Sequence, residues 1–127
     1  MHSKKCDMTV FLSSAERWTV PFSDEGYWRL GIYNPEFTSP NEITILEKHS
    51  CPELFICRKG RMGLIVGTGE HEKVITLADG EAMLVSDYHN GFRIDEGADF
   101  IVVERTAFST EYIERNTGKV IKRVDVK

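Results

Sequence analysis

The chain has 127 residues, of which 41% are hydrophobic and 28% are charged, and its formal net charge is -4. This balance is typical of one soluble globular domain over residues 1–127. The short basic runs form no stripe of lysine and arginine, which argues against a nucleic-acid partner. No membrane partner is expected either, because no stretch approaches the roughly 20 apolar residues of a membrane span.

The N-terminal region predicts little regular structure. We expect residues 1–7 to be disordered, and only SSAERW, residues 13–18, favours a short helical turn. The sequence after Met1 turns polar again too soon for a secretory signal, so we expect a cytoplasmic protein. The three cysteines form no C-x-x-C pair and predict neither a disulfide framework nor a zinc ribbon.

Most of the chain consists of short apolar runs separated by turn residues. Strands are predicted at MTVFL (8–12), YWRLGIY (27–33) and at further runs up to the C-terminus, with turns such as Asn34-Pro35, Asp79-Gly80 and Asn90-Gly91. Many short strands with regular turns are typical of an all-β sandwich or barrel.

The segment ILEKHSCPELFICRKG, residues 45–60, places polar chemistry on otherwise apolar strands. Side chains alternate between the two faces of a strand, so Glu47 and His49 point the same way as Ile43 and Ile45, a face we expect to be inward. After a turn at residues 50–52, Glu53 would approach Glu47 and His49 if its own face is also inward.

Two carboxylates and an imidazole in an apolar cavity need compensation, because burying unpaired charge is costly and adjacent carboxylates repel. A divalent transition-metal ion (Fe, Mn, Ni or Zn) would remove both problems and suits mixed histidine and carboxylate ligands. The alternative is a polar barrel mouth that holds no metal.

The spacing Glu47-x-His49-x3-Glu53-x6-Gly60 resembles the first motif of the cupin superfamily, H-x-H-x(3,4)-E-x(6)-G, with Glu47 where the family usually has its first histidine. The resemblance implies an all-β double-stranded β-helix, a small jelly-roll barrel, with these side chains as metal ligands. Here Glu47 or Glu53, whichever is uncoordinated, would serve as a general base.

The segment GEAMLVSDYHNGFRI, residues 80–94, resembles the second cupin motif, G-x5-P-x-G-x2-H-x3-N, although Ser86 replaces the proline and Tyr88 replaces the glycine. His89 is its only histidine. The resemblance therefore implies His89 as the fourth metal ligand, against a histidine that merely lies at the barrel rim.

Further side chains are candidates for binding a substrate. An inward Arg93 or Arg29 would bind a carboxylate or phosphate, but alternation leaves both free to face solvent instead. Tyr33, Tyr88 and Phe55 could line a pocket or simply belong to the core.

Three other side chains are given structural roles. Cys51 beside His49 is interpreted as an inert turn residue, Cys57 as core, and His71 as part of a solvated hairpin tip.

The C-terminal residues 109–127 predict a charged hairpin at the barrel edge, with Thr117-Gly118 in the turn. Its charges either protect an edge strand from aggregation or form an arm that exchanges with a second copy. The cupin resemblance implies a homodimer, in which this ribbon or residues 8–12 could supply the added edge.

Two functions remain open at this point. One is a metal-dependent enzyme that acts on a small polar metabolite, a sugar or organic acid, by isomerase, epimerase or dioxygenase chemistry, as the resemblance implies. The other is a non-catalytic cupin that binds or senses a small ligand without a functional metal.

Overall fold

The structure, a computed structural model, describes residues 7–12 and 15–126, and it is built almost entirely of β-strands. The disorder expected for residues 1–7 falls outside this range except at Asp7. Residues 15–17 form a bend and Trp18 begins a strand, so the described part of the predicted turn at 13–18 is not helical.

Eleven strands make up the described part of the chain. They are β1 Trp18–Asp24, β2 Trp28–Tyr33, β3 Ile45–His49, β4 Glu53–Lys59, β5 Met62–Val66, β6 Lys73–Leu77, β7 Ala82–Val85, β8 His89–Arg93, β9 Asp99–Arg105, β10 Phe108–Glu114 and β11 Val120–Val126. Two single turns of 3-10 helix, Pro40–Glu42 and Gly69–His71, connect strands. No helix within 7–12 and 15–126 has the length and apolar character to cross a membrane.

The strands form two antiparallel sheets, in the orders β1-β2-β9-β4-β7 and β11-β10-β3-β8-β5-β6. Apolar side chains from both sheets interdigitate at one end of the space between them, including Phe55, Leu64 and Phe100. The cavity that holds the candidate site lies beside this core, and Phe55 belongs to both. The all-β jelly-roll fold expected from the sequence is therefore confirmed.

Two strand predictions differ from the structure at the N-terminal end. Residues 8–12 form no strand. Conversely, β1 was not predicted, because Pro21 in its middle removes a ladder donor. The structure accommodates the proline at an irregularity, where the pairing register of β1 with β2 shifts between Thr19 and Phe22.

The outer face of the six-stranded sheet carries a second core. Leu46 lies on that face, opposite Glu47, and is fully buried because residues 34–44 fold across it and contribute Phe37 and Ile43. Arg115 ties this segment down by donating to the carbonyl oxygens of Pro40 and Ile43 at 2.5 and 2.9 Å. The covering segment fixes β3, which carries half of the candidate site.

We expect Leu46→Ala to lower the free energy of unfolding by about 2–5 kcal/mol, because it opens a cavity in a closed core. Ile45→Ala is the matched control, since Ile45, the preceding residue, is 42% exposed and its truncation leaves no buried void. Urea denaturation of both variants measures the difference. Equal losses for the two variants would contradict the second core.

Candidate metal centre

Four side chains from three strands converge in the open end of the barrel. The potential ligand atoms of Glu47, His49, Glu53 and His89 all lie within 4.8 Å of one another. Strand pairing accounts for this, because Glu47 of β3 lies directly opposite His89 of β8, and His49 follows on the same face of β3. Glu53 enters from the other sheet as the first residue of β4.

Three of these side chains are deeply buried, and the fourth faces the cavity. The side chains of His49, Glu53 and His89 are 7%, 6% and 3% exposed, whereas that of Glu47 is 33% exposed. Glu53 Oε1 lies 2.7 Å from His49 Nε2 and 2.8 Å from His89 Nε2. Glu47 Oε1 is 3.1 Å from His49 Nε2 and 4.0 Å from His89 Nε2.

The outer nitrogen of each imidazole is already occupied. His89 Nδ1 lies 2.9 Å from the Asp87 carbonyl oxygen, which can only accept, so Nδ1 carries the hydrogen. His49 Nδ1 lies 2.7 Å from Thr110 Oγ1. Such partners fix the tautomer and the ring orientation and present Nε2 to the centre, as in metal-binding histidines.

The three central atoms have no hydrogen-bond partner of acceptable geometry within the described part of the chain. His49 Nε2, Glu53 Oε1 and His89 Nε2 are buried and unsatisfied, although buried polar atoms are normally paired. In neutral His89, Nε2 and Glu53 Oε1 are two acceptors 2.8 Å apart, which repel unless a cation lies between them. The donor set of two imidazoles and carboxylates fits a divalent transition metal.

The electrostatics of the cluster favour positive charge at its centre. Burial disfavours protonation of His49, but the Glu47 and Glu53 carboxylates outweigh it and raise its pKa to about 10. Burial would raise the pKa of Glu53, yet His49 and His89 dominate and lower it well below its usual range. A cation in this position therefore meets a ready-made anionic surrounding.

A fifth charged side chain, Glu104 of β9, was missed by sequence reasoning. The register places Arg29, Glu104 and Glu53 in one row across β2, β9 and β4. Burial and the adjacent Glu53 raise the pKa of Glu104 to about 8, although Arg29 opposes this rise. The contacting carboxyl groups of Glu53 and Glu104 then share a proton, which avoids repulsion between two negative charges. The alternation that identified Glu47 also puts Glu104 on one face with Phe100 and Val102, so the sequence did carry a signal for it.

Arg29 faces the barrel interior and is fixed on several sides. Its Nε and Nη2 donate to Glu104 Oε2 at 2.7 and 2.5 Å. Its guanidinium carbon lies 5.7 Å from the Trp18 ring centre and 5.6 Å from that of Phe108, within cation–π range. Trp18 reaches this position because it packs on Gly31, where any Cβ would clash with the indole ring. No simple pattern in the sequence identifies Trp18, Phe108 or Thr110 as part of the site.

The cluster lies in the wall of a cavity of about 650 Å³. Arg29, Tyr33 and Phe55, three of the predicted substrate-binding residues, line this cavity. Tyr33 Oη donates to Asn90 Oδ1 at 3.2 Å, and burial raises the pKa of this phenol. The cavity therefore combines aromatic walls with a few fixed polar groups, as ligand sites commonly do.

The other two predicted substrate-binding residues lie elsewhere. Tyr88 donates to Glu111 and lines a separate cleft on the outer side of β3, together with Lys48. Arg93 ends β8, where it pairs with Met62, and it is not part of the cavity lining. Along β8 the cavity reaches only as far as Gly91, two residues before Arg93.

Cys51, Cys57 and His71 lie away from the cavity. Cys51 and Cys57 are buried free thiols, and burial raises the pKa of each. Cys57 is part of the core between the sheets. The His71 side chain is 85% exposed.

Comparison with solved structures identifies the class of fold. A cupin-2 domain protein from Shewanella frigidimarina matches with a TM-score of 0.55 and 16% identity, covering 72% of this chain and 84% of that one. This chain therefore has the cupin fold, and the resemblance seen in the sequence is confirmed at the level of the fold. No protein-family model and no curated protein matches the sequence.

One of the structurally similar proteins is a metal-bound enzyme. HppE in its Fe(II) form with substrate matches with a TM-score of 0.58 and 15% identity over 75% of this chain and 56% of that one. Hydroxypropylphosphonic acid epoxidase from S. wedmorenis, in complex with fosfomycin, matches with a TM-score of 0.50 and 18% identity over 61% and 42%. This chain thus spans about half of each of these two structures.

The pKa shifts predict that the metal-free protein loses stability as the pH rises. The pKa of His49 is raised from 6.5 to about 10. Its contribution to the free energy of unfolding is therefore complete below pH 6.5 and is lost as the pH passes 10. The pKa of Glu104 is raised from 4.5 to about 8, so its contribution to the free energy of unfolding is lost as the pH passes 8. The pKa of Glu53 is lowered, so its contribution to the free energy of unfolding is lost as the pH falls into the acid range.

Urea denaturation with a chelator, from pH 5 to pH 10, measures this profile around the shifted pKa values. The free energy of unfolding is expected to fall across the alkaline half. Glu104→Gln should flatten the lower part of that fall and His49→Gln the upper part. A profile that is flat or rises with pH in the wild-type protein would contradict these charge assignments.

Proposed function

We propose that this protein is a metal-binding cupin that acts on a small polar metabolite held in the barrel cavity. The observation that carries the proposal is the convergence of three buried, unsatisfied ligand atoms, on His49, Glu53 and His89. Two imidazoles and one carboxylate form the 2-His-1-carboxylate set of non-haem iron oxygenases. The Fe(II) form of HppE among the structural neighbours supports the same choice of metal.

Glu47 is proposed as the mobile member of the site. It is the most exposed of the four side chains and lies farther from His89 than Glu53 does. It can complete the coordination as a fourth ligand, or it can remain free and exchange a proton with a bound ligand. Glu53 is then the fixed carboxylate, because both histidines and Glu104 surround it.

When bound, the ion would supply Lewis-acid and redox chemistry at the inner end of the cavity. The chain itself contributes binding and orientation. Arg29 retains Nη1 for an anionic group of a ligand, since Nε and Nη2 are occupied by Glu104. Phe55 and Val102 shield the inner wall from water, and Tyr33 with Asn90 offers polar contacts to hydroxyl groups. A small organic acid matches these groups better than a neutral sugar.

We propose oxygen-dependent oxidation as the first reaction class, on the strength of the ligand set. Isomerase or epimerase chemistry is the second candidate, because Glu47 stands 3.1 Å from His49 and faces the cavity, as a general base requires. A panel of small hydroxy and keto acids separates the two. Oxidation consumes dioxygen, whereas isomerisation incorporates solvent deuterium at carbon without oxygen uptake. Binding without either response would support the non-catalytic alternative.

Removing a buried ligand should strongly weaken metal binding. We expect His49→Ala, Glu53→Ala and His89→Ala each to weaken the affinity for Fe(II) or Mn(II) by at least about 100-fold, and Thr110→Val by about 10–100-fold, because Thr110 orients His49. His71→Ala is the matched control, a histidine on the surface whose loss leaves affinity unchanged. Titration calorimetry and elemental analysis measure metal affinity and metal content for all of these variants. Wild-type protein that binds no metal, or variants that bind as well as His71→Ala, would refute the proposal.

The Glu47→Gln variant tests the division of labour between the two carboxylates. If Glu53 is the fixed ligand, Glu47→Gln keeps the metal content of the wild type and Glu53→Gln loses it, since Gln cannot supply the anionic oxygen. Elemental analysis after extensive dialysis distinguishes the two variants. Loss of metal from Glu47→Gln and retention in Glu53→Gln would reverse the roles.

A further inference from the structure

The side-chain amide of Asn90 lies between two strands in the wall of the cavity. Within the described residues, β3 and β8 pair at a single position, Glu47 opposite His89. Next to this pair, Asn90 Oδ1 accepts from the backbone N–H of Gly91 at 2.8 Å, and Asn90 Nδ2 donates to the carbonyl oxygen of Ile45 at 2.9 Å. The amide therefore bridges the backbones of β8 and β3.

These two bonds fix which way round the amide lies. If its oxygen and nitrogen were exchanged, Nδ2 would face the Gly91 N–H as a second donor, and Oδ1 would face the Ile45 carbonyl as a second acceptor. Asn90 Oδ1 is thus a fixed acceptor, and it also accepts from Tyr33 Oη at 3.2 Å. Because this bond uses the single hydroxyl hydrogen of Tyr33, its phenol oxygen can only accept from a ligand.

Tyr33 is held firmly in this arrangement. Its ring stacks on that of Phe100, with ring centres 6.1 Å apart and an interplanar angle of 16°. The ring also lies against Gly91, where an added Cβ would come within 3.0 Å of Tyr33 Cε2. Burial raises the pKa of the phenol above its usual range, so the hydroxyl keeps its hydrogen. The cavity wall therefore presents a fixed acceptor, which matches a hydroxyl group and not a carbonyl oxygen.

Arg29 lies on the same face of β2, at a distance from Tyr33. The two residues are four positions apart, and a rise of about 3.3 Å per residue separates their Cα atoms by about 13 Å. Between them, Gly31, Val102 and Phe55 form an apolar row in register across β2, β9 and β4, and Val102 and Phe55 line the cavity. A ligand that reaches both polar groups therefore has carbon atoms between its acid group and its hydroxyl.

We propose that the cavity selects a hydroxy acid whose hydroxyl group is several carbons away from its acid group. This inference rests on the proposed function and names the ligand class of the same cavity. Arg29 Nη1 binds the acid group, and the carbon chain packs on Val102 and Phe55. The distal hydroxyl donates to Tyr33 Oη. An oxo acid of the same length brings only an acceptor to Tyr33, which leaves two oxygen atoms facing each other without a hydrogen.

Titration calorimetry with 5-hydroxyhexanoate and 5-oxohexanoate tests the proposal, in the metal-free and in the Mn(II)-loaded protein. We expect the wild-type chain to bind the hydroxy acid at least about tenfold more tightly than the oxo acid. Tyr33→Phe should remove this preference. Tyr88→Phe is the matched control and should keep it, since the Tyr88 hydroxyl donates to Glu111 in the separate outer cleft.

Two Asn90 variants test the origin of the preference. Asn90→Ala removes the acceptor of the Tyr33 hydrogen, which can then be donated to a carbonyl group, so 5-oxohexanoate should bind as well as the hydroxy acid. Asn90→Asp keeps an acceptor oxygen and should keep the preference. If Asn90→Ala does not fold, the comparison of the wild type with Tyr33→Phe decides the question alone.

The position of the hydroxyl is tested with 2-hydroxyhexanoate. Its hydroxyl adjoins the acid group and does not reach Tyr33, so Tyr33→Phe should leave its affinity unchanged. A fall in that affinity would overturn the proposed distance between the two groups.

Three further results would overturn the proposal. They are equal affinity of the wild type for 5-hydroxyhexanoate and 5-oxohexanoate, a preference that survives Tyr33→Phe, and a wild-type chain that binds neither acid. A wild-type chain that binds no Mn(II) but still prefers the hydroxy acid would refute the proposed metal-dependent function and support the assignment of Tyr33.

Discussion

The constraint on which the site depends is the burial of three polar atoms, on His49, Glu53 and His89, that converge on one point. His49 Nε2 and His89 Nε2 lie 2.7 and 2.8 Å from Glu53 Oε1, and none of these three buried atoms has a hydrogen-bond partner of acceptable geometry among the described residues. Unpaired polar atoms of this kind cost more than a marginally stable domain tolerates without compensation. A cation bound between these atoms would compensate the cost of burying them.

The surrounding fold serves to hold that arrangement in place. Thr110 and the Asp87 carbonyl orient the two imidazoles, while Glu104 and Arg29 stand behind Glu53 in a row across one sheet. Thr110, Glu104 and Arg29 each lie on a different strand from the residue they support. The Asp87 carbonyl is the exception, since it lies two residues before His89. Rigid β-structure therefore supplies the preorganisation that a flexible loop could not.

The outer faces of the two sheets both carry apolar side chains that must be shielded from water. Both sheets carry apolar side chains on their outer faces as well as in the core between them. The chain covers one with residues 34–44, and this cover also immobilises β3 and hence Glu47 and His49. On the outer face of the five-stranded sheet, Arg58 donates to the Leu12 carbonyl, so residues 7–12 reach this face, although Leu84 remains exposed.

The sequence by itself determined the fold class and predicted that Glu47, His49 and Glu53 share one site, because alternation along β3 and the spacing to Glu53 are local properties of the chain. Local pattern could also have found Glu104. It could not choose between the inward and outward orientations of Arg29 and Arg93, since that depends on where the cavity ends, and it missed β1 because Pro21 opposes a regular strand. Thr110, Trp18 and Phe108 became part of the site only through pairing and packing between distant segments. Contacts of this kind are set by sheet register, which tertiary structure alone decides.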